Sequence, residues 1–291
     1  MDIIVKGGSK MRYLEDSFSS SEDIKLFYQI WHPDKAPKAV VQLIHGILEH
    51  GGCYLNLAKE LVKRDYVIYA SDNQGHGRSE GVRAYVKSFD VFVEDQKIFY
   101  DLIREKEQDI PVFLLGSSMG SFIAVILAAT YMKDIDGLVL ASIGTKLGGF
   151  NFFTKVLIKF LALIAPNMKI EDPNIDGLSR DLEFVKAYTA DPLVSTKTTV
   201  KLAAELLAGN NKAKKLIGQI RVPTLVQCGS ADTVVFGIEG LDELMVMSDK
   251  TVKIYEGLFH EVYNELEEDR RIVLKDLGDW LDSHVPYAKI R

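Results

Sequence analysis

The chain has 291 residues, 47% of them apolar and 26% charged, with a formal net charge of −6. That is enough to bury a sizeable core, and the acidic balance argues against a nucleic-acid binder, which needs clustered Lys and Arg. Two distant cysteines, Cys53 and Cys228, exclude a secreted disulfide framework and predict free thiols in a reducing, cytoplasmic setting.

From the N-terminus, Asp2, Lys6 and Lys10 surround only a short apolar stretch. A signal peptide needs about 7–15 consecutive apolar residues, so none is expected, and Met11 offers a second start. No segment reaches about 18 uncharged apolar residues, so no membrane span is expected. Ile24 to Ile30 alternates and predicts an antiparallel edge hairpin. Continuous apolar runs at Ala39–Ile44, Tyr66–Ala70, Pro111–Leu115, Gly137–Ala141, Thr224–Gln227 and Thr251–Tyr255 read as buried parallel strands. Helical patterns separate them at Cys53–Lys63, Phe89–Glu105 and Ser121–Met132, with another at Arg270–Val285. Strands alternating with helices imply an α/β fold, a mostly parallel sheet with helices on both faces.

The alternation stops between 145 and 218, where Phe150–Ile164, Asp181–Tyr188 and Thr198–Leu207 look helical. The expected organisation is a core of residues 1–144 and 219–291 with an all-helical cap, 145–218, over the sheet's C-terminal edge, where ligands bind in such folds.

The strongest chemical signal is Gly116-Ser117-Ser118-Met119-Gly120, placed between a strand pattern and a helix pattern. Small residues two before and two after Ser118 let strand and helix approach closely, and the helix N-terminus aims its N–H groups at the reacting oxygen. The spacing selects Ser118 over Ser117. A serine hydroxyl needs a base to take its proton, and in this arrangement acid and His follow the serine in the chain. Only His260 and His284 lie after Ser118. His260 follows a strand directly and is the expected base; His284, beside Pro286, reads as a helix cap. Asp232, after the Thr224 strand, is the expected acid, to orient His260 and stabilise its imidazolium. Asp249 is the rival but precedes a strand. Backbone N–H groups of Met119 and of Ile47, in the loop after the Ala39 strand, are the expected oxyanion donors. No metal is expected, because His45 and His50 have no third ligand spaced with them. Asp72 to Ser79 fits neither Gly-rich nucleotide motif and reads as a turn.

Four segments resemble the monoacylglycerol lipase and lysophospholipase branch of the α/β-hydrolases. They are His45-Gly46-x-x-Glu49-His50 with Tyr54, Asp72-x-x-Gly75-His76-Gly77-x-Ser79-x-Gly81, Phe113-Leu114-Leu115-Gly116-x-Ser118-Met119-Gly120, and Lys253-Ile254-Tyr255-Glu256-Gly257-x-x-His260. The resemblance runs from about residue 20 to 285 outside the cap. It implies the α/β-hydrolase fold, with Ser118, Asp232 and His260 as a triad and Ile47 and Met119 as oxyanion donors. It also implies ester hydrolysis through an acyl-enzyme without a cofactor. Substrate contacts are expected from Glu49 and Ser117. Position 117 is often His in this branch, position 121 often Gly, and eukaryotic monoacylglycerol lipases usually carry Arg where Cys53 stands.

Within Phe150–Ile164, ten large apolar residues surround Lys155 and Lys159. Such a helix either packs its widest face on the core, or forms a lid that lines an acyl tunnel and touches a membrane transiently and peripherally. The expected partner is a small acyl ester with a medium or long chain. Competing readings are a short-chain carboxylesterase, a thioesterase or a small aminopeptidase, and, from another class, a catalytically silent small-ligand receptor. The pattern does not address oligomeric state.

Overall fold

The computed structural model describes residues 2–4, 10–131, 134–171 and 175–286. Most of the residues read for a leader, and Met132, fall outside them. In chain order the elements are β1 (Asp2–Ile4), β2 (Lys10–Ser19), β3 (Lys25–Pro33), β4 (Ala39–Ile44), α1 (Leu55–Lys63), β5 (Tyr66–Ser71), α2 (Phe89–Lys106), β6 (Val112–Ser117), α3 (Met119–Tyr131) and β7 (Gly137–Ala141). Then come β8 (Lys146–Leu147), α4 (Phe152–Ile164), β9 (Lys169–Glu171), α5 (Leu182–Ala190), β10 (Lys197–Thr199), α6 (Val200–Leu216), β11 (Thr224–Gly229), β12 (Val235–Phe236), α7 (Ile238–Leu244), β13 (Lys250–Tyr255) and α8 (Glu267–His284).

Among the described residues the main sheet has nine strands in the order β1-β2-β3-β5-β4-β6-β7-β11-β13. The first three form an antiparallel edge, and β5 onward is parallel. The parallel strands are near-continuous apolar runs because both faces are covered. Along β4, Val40 and Ile44 belong to one buried cluster, Val41 and Leu43 to the other. Chain order reverses at β4, with β5 on one side and β6 on the other. The loops after β4 and β6 therefore emerge side by side at the C-terminal edge, the place where such sheets bind ligands.

The expected strands and most of the helices form where their periodicity put them; Thr198–Leu207 is the exception, since Thr198 and Thr199 belong to β10 and the helix, α6, runs on to Leu216. β2 was not read from the sequence, because its charged residues, Arg12, Glu15 and Asp16, interrupt the apolar run that marks a buried strand. The segment between β7 and β11 departs from expectation. It is not all-helical: β9 and β10 pair antiparallel, Lys197 opposite Glu171 and Thr199 opposite Lys169. Three-residue strands are too short for periodicity to register. Nor does α4 turn its wide face to the core. None of its residues is buried, and Phe152, Phe153 and Leu163 are 74%, 80% and 83% exposed. Among the described residues no helix is long and apolar enough to cross a membrane.

Candidate active site

Ser118 occupies the junction between β6 and α3 with φ of 53°, a left-handed conformation that costs a residue with a Cβ about 1–2 kcal/mol. The flanking glycines explain how the turn closes. A Cβ on Gly120 would lie 2.0 Å from the Ile44 carbonyl oxygen, and one on Gly116 2.3 Å from that of Gly120. Ser121, where the related branch often has glycine, braces the turn by donating its hydroxyl to the carbonyls of Gly116 and Ala141, both at 2.8 Å. Met119 is the first residue of α3, so its N–H has no partner within the helix. Ile47 lies on the adjoining loop and shares the wall of one cavity with Ser118.

Asp232 follows β11 and His260 follows β13, two strands that pair in parallel. The Asp232 carboxylate meets His260 Nδ1 at 2.8 Å, both side chains being buried. Its other oxygen accepts the N–H groups of Val234 at 2.8 Å and Val235 at 3.0 Å. This fixes the carboxylate against the imidazole and leaves Nε2 as the ring's remaining nitrogen. Burial by itself would lower the pKa of His260, but the Asp232 carboxylate outweighs it and pushes the value up to about 9. Asp249, the rival acid, instead pairs with His284, 3.3 Å away, and His284 stacks on Trp280.

The His260 loop is clamped from several sides. Ser142 Oγ donates to the His260 carbonyl. Fully buried Glu265 accepts the Phe259 N–H at 2.7 Å and pairs with Arg180 at 3.1 Å. The Glu261 N–H donates to the Leu178 carbonyl at 2.7 Å. The segment between β7 and β11 thus holds the His260 loop, and it also holds the Ile47 loop. Ser195 N–H donates to the Leu48 carbonyl at 2.9 Å, and Asp191 meets His50 Nε2 at 3.1 Å.

Beside the serine lies a group of acids that the sequence gave little reason to join. Glu49 Oε1 accepts the Gly46 N–H and the Tyr54 hydroxyl, each at 2.5 Å. Glu49 Oε2 is buried without a hydrogen-bond partner. Burial, then the neighbouring Glu261 carboxyl, raise Glu49 well above the usual carboxylate range. Glu261 is raised as well, by burial first, and accepts from Asn264 at 3.2 Å. Ser117 is buried beside Tyr54. Cys53 adjoins the same acids; burial and then Glu49 push its thiol up, so it is no thiolate nucleophile. Glu261 and Asn264 escaped the sequence reading. Their one local signal is position, immediately after His260. The Asp72 segment is a turn: its carboxylate accepts the N–H groups of Gly51 at 2.9 Å and Arg78 at 2.8 Å.

A cavity of about 260 Å³ opens at Ser118. Its walls are apolar, with Ile47, Phe122, Phe150, Ile158 and Leu206 prominent. Serine in a helix-capped turn, an imidazole set by a carboxylate, and an apolar chamber beside them constitute the equipment for acyl transfer.

Comparison with known proteins agrees with this geometry. The family model Hydrolase_4, described as Serine aminopeptidase, S33, matches residues 35–267. The monoacylglycerol lipase of Mycolicibacterium smegmatis is 33% identical over 277 residues, which cover 93% of this chain and 98% of that protein. The monoglyceride lipase of Homo sapiens is 35% identical over 268 residues, covering 90% of this chain and 88% of that one. Among solved structures, the monoacylglycerol lipase of Paleococcus ferrophilus superposes with a TM-score of 0.76 at 29% identity, covering 94% of this chain and all of that one. The chain therefore belongs to the Hydrolase_4 family of α/β-hydrolases, as a carboxylic-ester hydrolase similar to the monoacylglycerol lipases.

Proposed function

We propose that the chain hydrolyses monoacylglycerols with medium or long acyl chains, with Ser118 as nucleophile, His260 as general base and Asp232 as its orienting acid. The observation that carries the substrate reading is the apolar cavity at Ser118. Ser118 Oγ gives its proton to His260 and attacks the ester carbonyl. The N–H groups of Ile47 and Met119 take up the oxyanion. His260 returns the proton to the departing glycerol, and water then cleaves the acyl-enzyme by the same steps. Glu49 Oε2, buried without a partner, takes a hydroxyl of the alcohol. Ser117 stands with Glu49 on the alcohol side of the ester, and Glu49 Oε1 also holds the Gly46 N–H and so the oxyanion loop. Residues 145–218 serve as the cap, and the exposed face of α4 rests peripherally on the lipid surface that supplies substrate. The monoacylglycerol lipase relatives support the glycerol ester.

Turnover of monoacylglycerols from butyryl to stearoyl tests this. Each buried methylene contributes about 0.8 kcal/mol, so kcat/KM should climb about fourfold per carbon while the cavity fills. The peak is expected at decanoyl or longer; a peak at butyryl would sink the lipid reading and leave a short-chain esterase.

The elevated pKa of His260 makes a second prediction. The base works only when neutral, so activity is lost as pH falls through the folded-state value, raised to about 9. On a soluble ester, kcat/KM should still be rising above pH 7.5, about one unit past an ordinary histidine. The same shift stabilises the fold fully below the unfolded histidine value of about 6.5, and that contribution fades as pH rises through the folded value. An activity midpoint at or below 6.5 would refute the Asp232–His260 coupling as described.

A further inference from the structure

The molecule is acidic overall, yet one cleft on it is lined by lysines. α4 and α6 lie side by side and leave a pocket of about 50 Å³ bounded by Lys155 and Lys159 of α4, Asn210, Asn211 and Lys214 of α6, and Thr145. One water needs roughly 10–15 Å³, so the pocket has room for a phosphate-sized group. Lys214 Nζ donates to the Thr145 carbonyl at 3.2 Å. Among the described residues no carboxylate pairs with any of these three lysines, whereas Lys201 and Lys212 on the same helix pair with Glu205 and Asp90. Burial, and then the Lys155 ammonium, lower the pKa of Lys214. Like charges collect here without compensation, and an anion would relieve them.

The cleft's position says which anion. At about 100° per residue, the exposed apolar side chains of α4, from Phe152 to Ile164, span about 140° of its circumference. Lys155 and Lys159 lie on one flank, within about 60° of that arc. Thr154 and Ile158, on the inward side, line the cavity at Ser118. A helix lying in a bilayer interface buries its apolar face about 5–10 Å deep, which sets its flank at headgroup level. We propose that the cleft between α4 and α6 binds the phosphate of an anionic lipid headgroup and so docks the apolar face of α4 on anionic bilayers in preference to neutral ones. An acidic protein is otherwise repelled by such a surface; the lysine cleft orients it with α4, which also lines the cavity, toward the lipid. This rests on the reading of α4 as the lipid-facing part of the cap.

The test is sedimentation of the full chain with vesicles of phosphatidylcholine alone or with roughly one-third phosphatidylglycerol. It is run in the Ser118→Ala background so that vesicle composition stays constant. A lysine at an anionic surface contributes about fivefold in partition, so three predict a preference on the order of 100-fold. The K155Q/K159Q/K214Q protein should bind both vesicles at the neutral level, and the corresponding arginine variant should keep the preference. Phe152→Ser with Leu163→Ser should weaken binding to both. Equal binding of the unsubstituted lysine protein to the two vesicles overturns the proposal, as does an anionic preference that survives in the glutamine variant. Millimolar inorganic phosphate binding without any vesicle preference would make the cleft a site for free anions and overturn the headgroup assignment. Failure of the monoacylglycerol reading would appear in the acyl-length series, which the vesicle measurement does not touch.

Discussion

Ser118→Ala is expected to lower kcat/KM by about 10⁴–10⁶-fold and to abolish labelling by a fluorophosphonate probe, with the fold intact. The chemical loss is large because no other group takes over the covalent step. Burial, then Glu49, hold the Cys53 thiol protonated, and Ser117 is buried one residue short of the turn. The structural loss is small. The left-handed backbone at 118 strains alanine and serine alike, since both carry a Cβ, and the Ser118 N–H keeps its bond to the Ala141 carbonyl at 3.0 Å. Circular dichroism and thermal melting should overlay those of the unsubstituted protein. More than about 1% residual turnover in a properly folded variant would remove Ser118 as nucleophile.

Asp232→Asn should lower kcat/KM by roughly 10³–10⁴-fold. The carboxylate now faces donors on both sides, His260 Nδ1 at 2.8 Å and the two backbone N–H groups of Val234 and Val235. An amide presents one oxygen and one NH₂. With oxygen toward His260, its NH₂ opposes the Val234 and Val235 N–H groups. With NH₂ toward His260, the imidazole must shift its proton to Nε2 and can no longer accept from Ser118. The residual activity carries a signature that simple misfolding lacks. Once the raising influence of Asp232 is gone, burial dominates and His260 falls. The pH midpoint of the variant should therefore drop below about 6.5 while that of the parent stays above it. A variant whose midpoint does not move would show that Asp232 does not set the histidine's charge.

Much of this was legible in the sequence, for a local physical reason. A strand buried on both faces must be apolar throughout, so β4, β5, β6, β7 and β11 announced themselves as runs. A strand-to-helix turn that admits no Cβ at two positions must carry small residues there, and Gly116 and Gly120 mark it. Chain order and strand ends then selected Ser118, Asp232 and His260, with Ile47 and Met119 beside them. The width of the apolar stripe on α4 was equally plain.

Other features depend on which loops converge at the sheet's C-terminal edge, and only the tertiary structure decided them. Glu49 and Glu261 are remote in the chain, and neither carries a local sign of a raised pKa; that shift comes first from exclusion of water and, for Glu49, then from the approach of Glu261. Strand ends already favoured Asp232 over Asp249; the structure adds that Asp249, at the opposite end of the sheet, has a partner of its own in His284. Lys214 is an ordinary last-turn lysine until α4 sets Lys155 against it. The stripe on α4 could have faced the core, but the inward arc, with Thr154 and Ile158, already lines the cavity and leaves the broader arc to the outside. Periodicity reports which residues share a face. What that face meets depends on segments brought together from far along the chain, and hence so do charge and burial at the site.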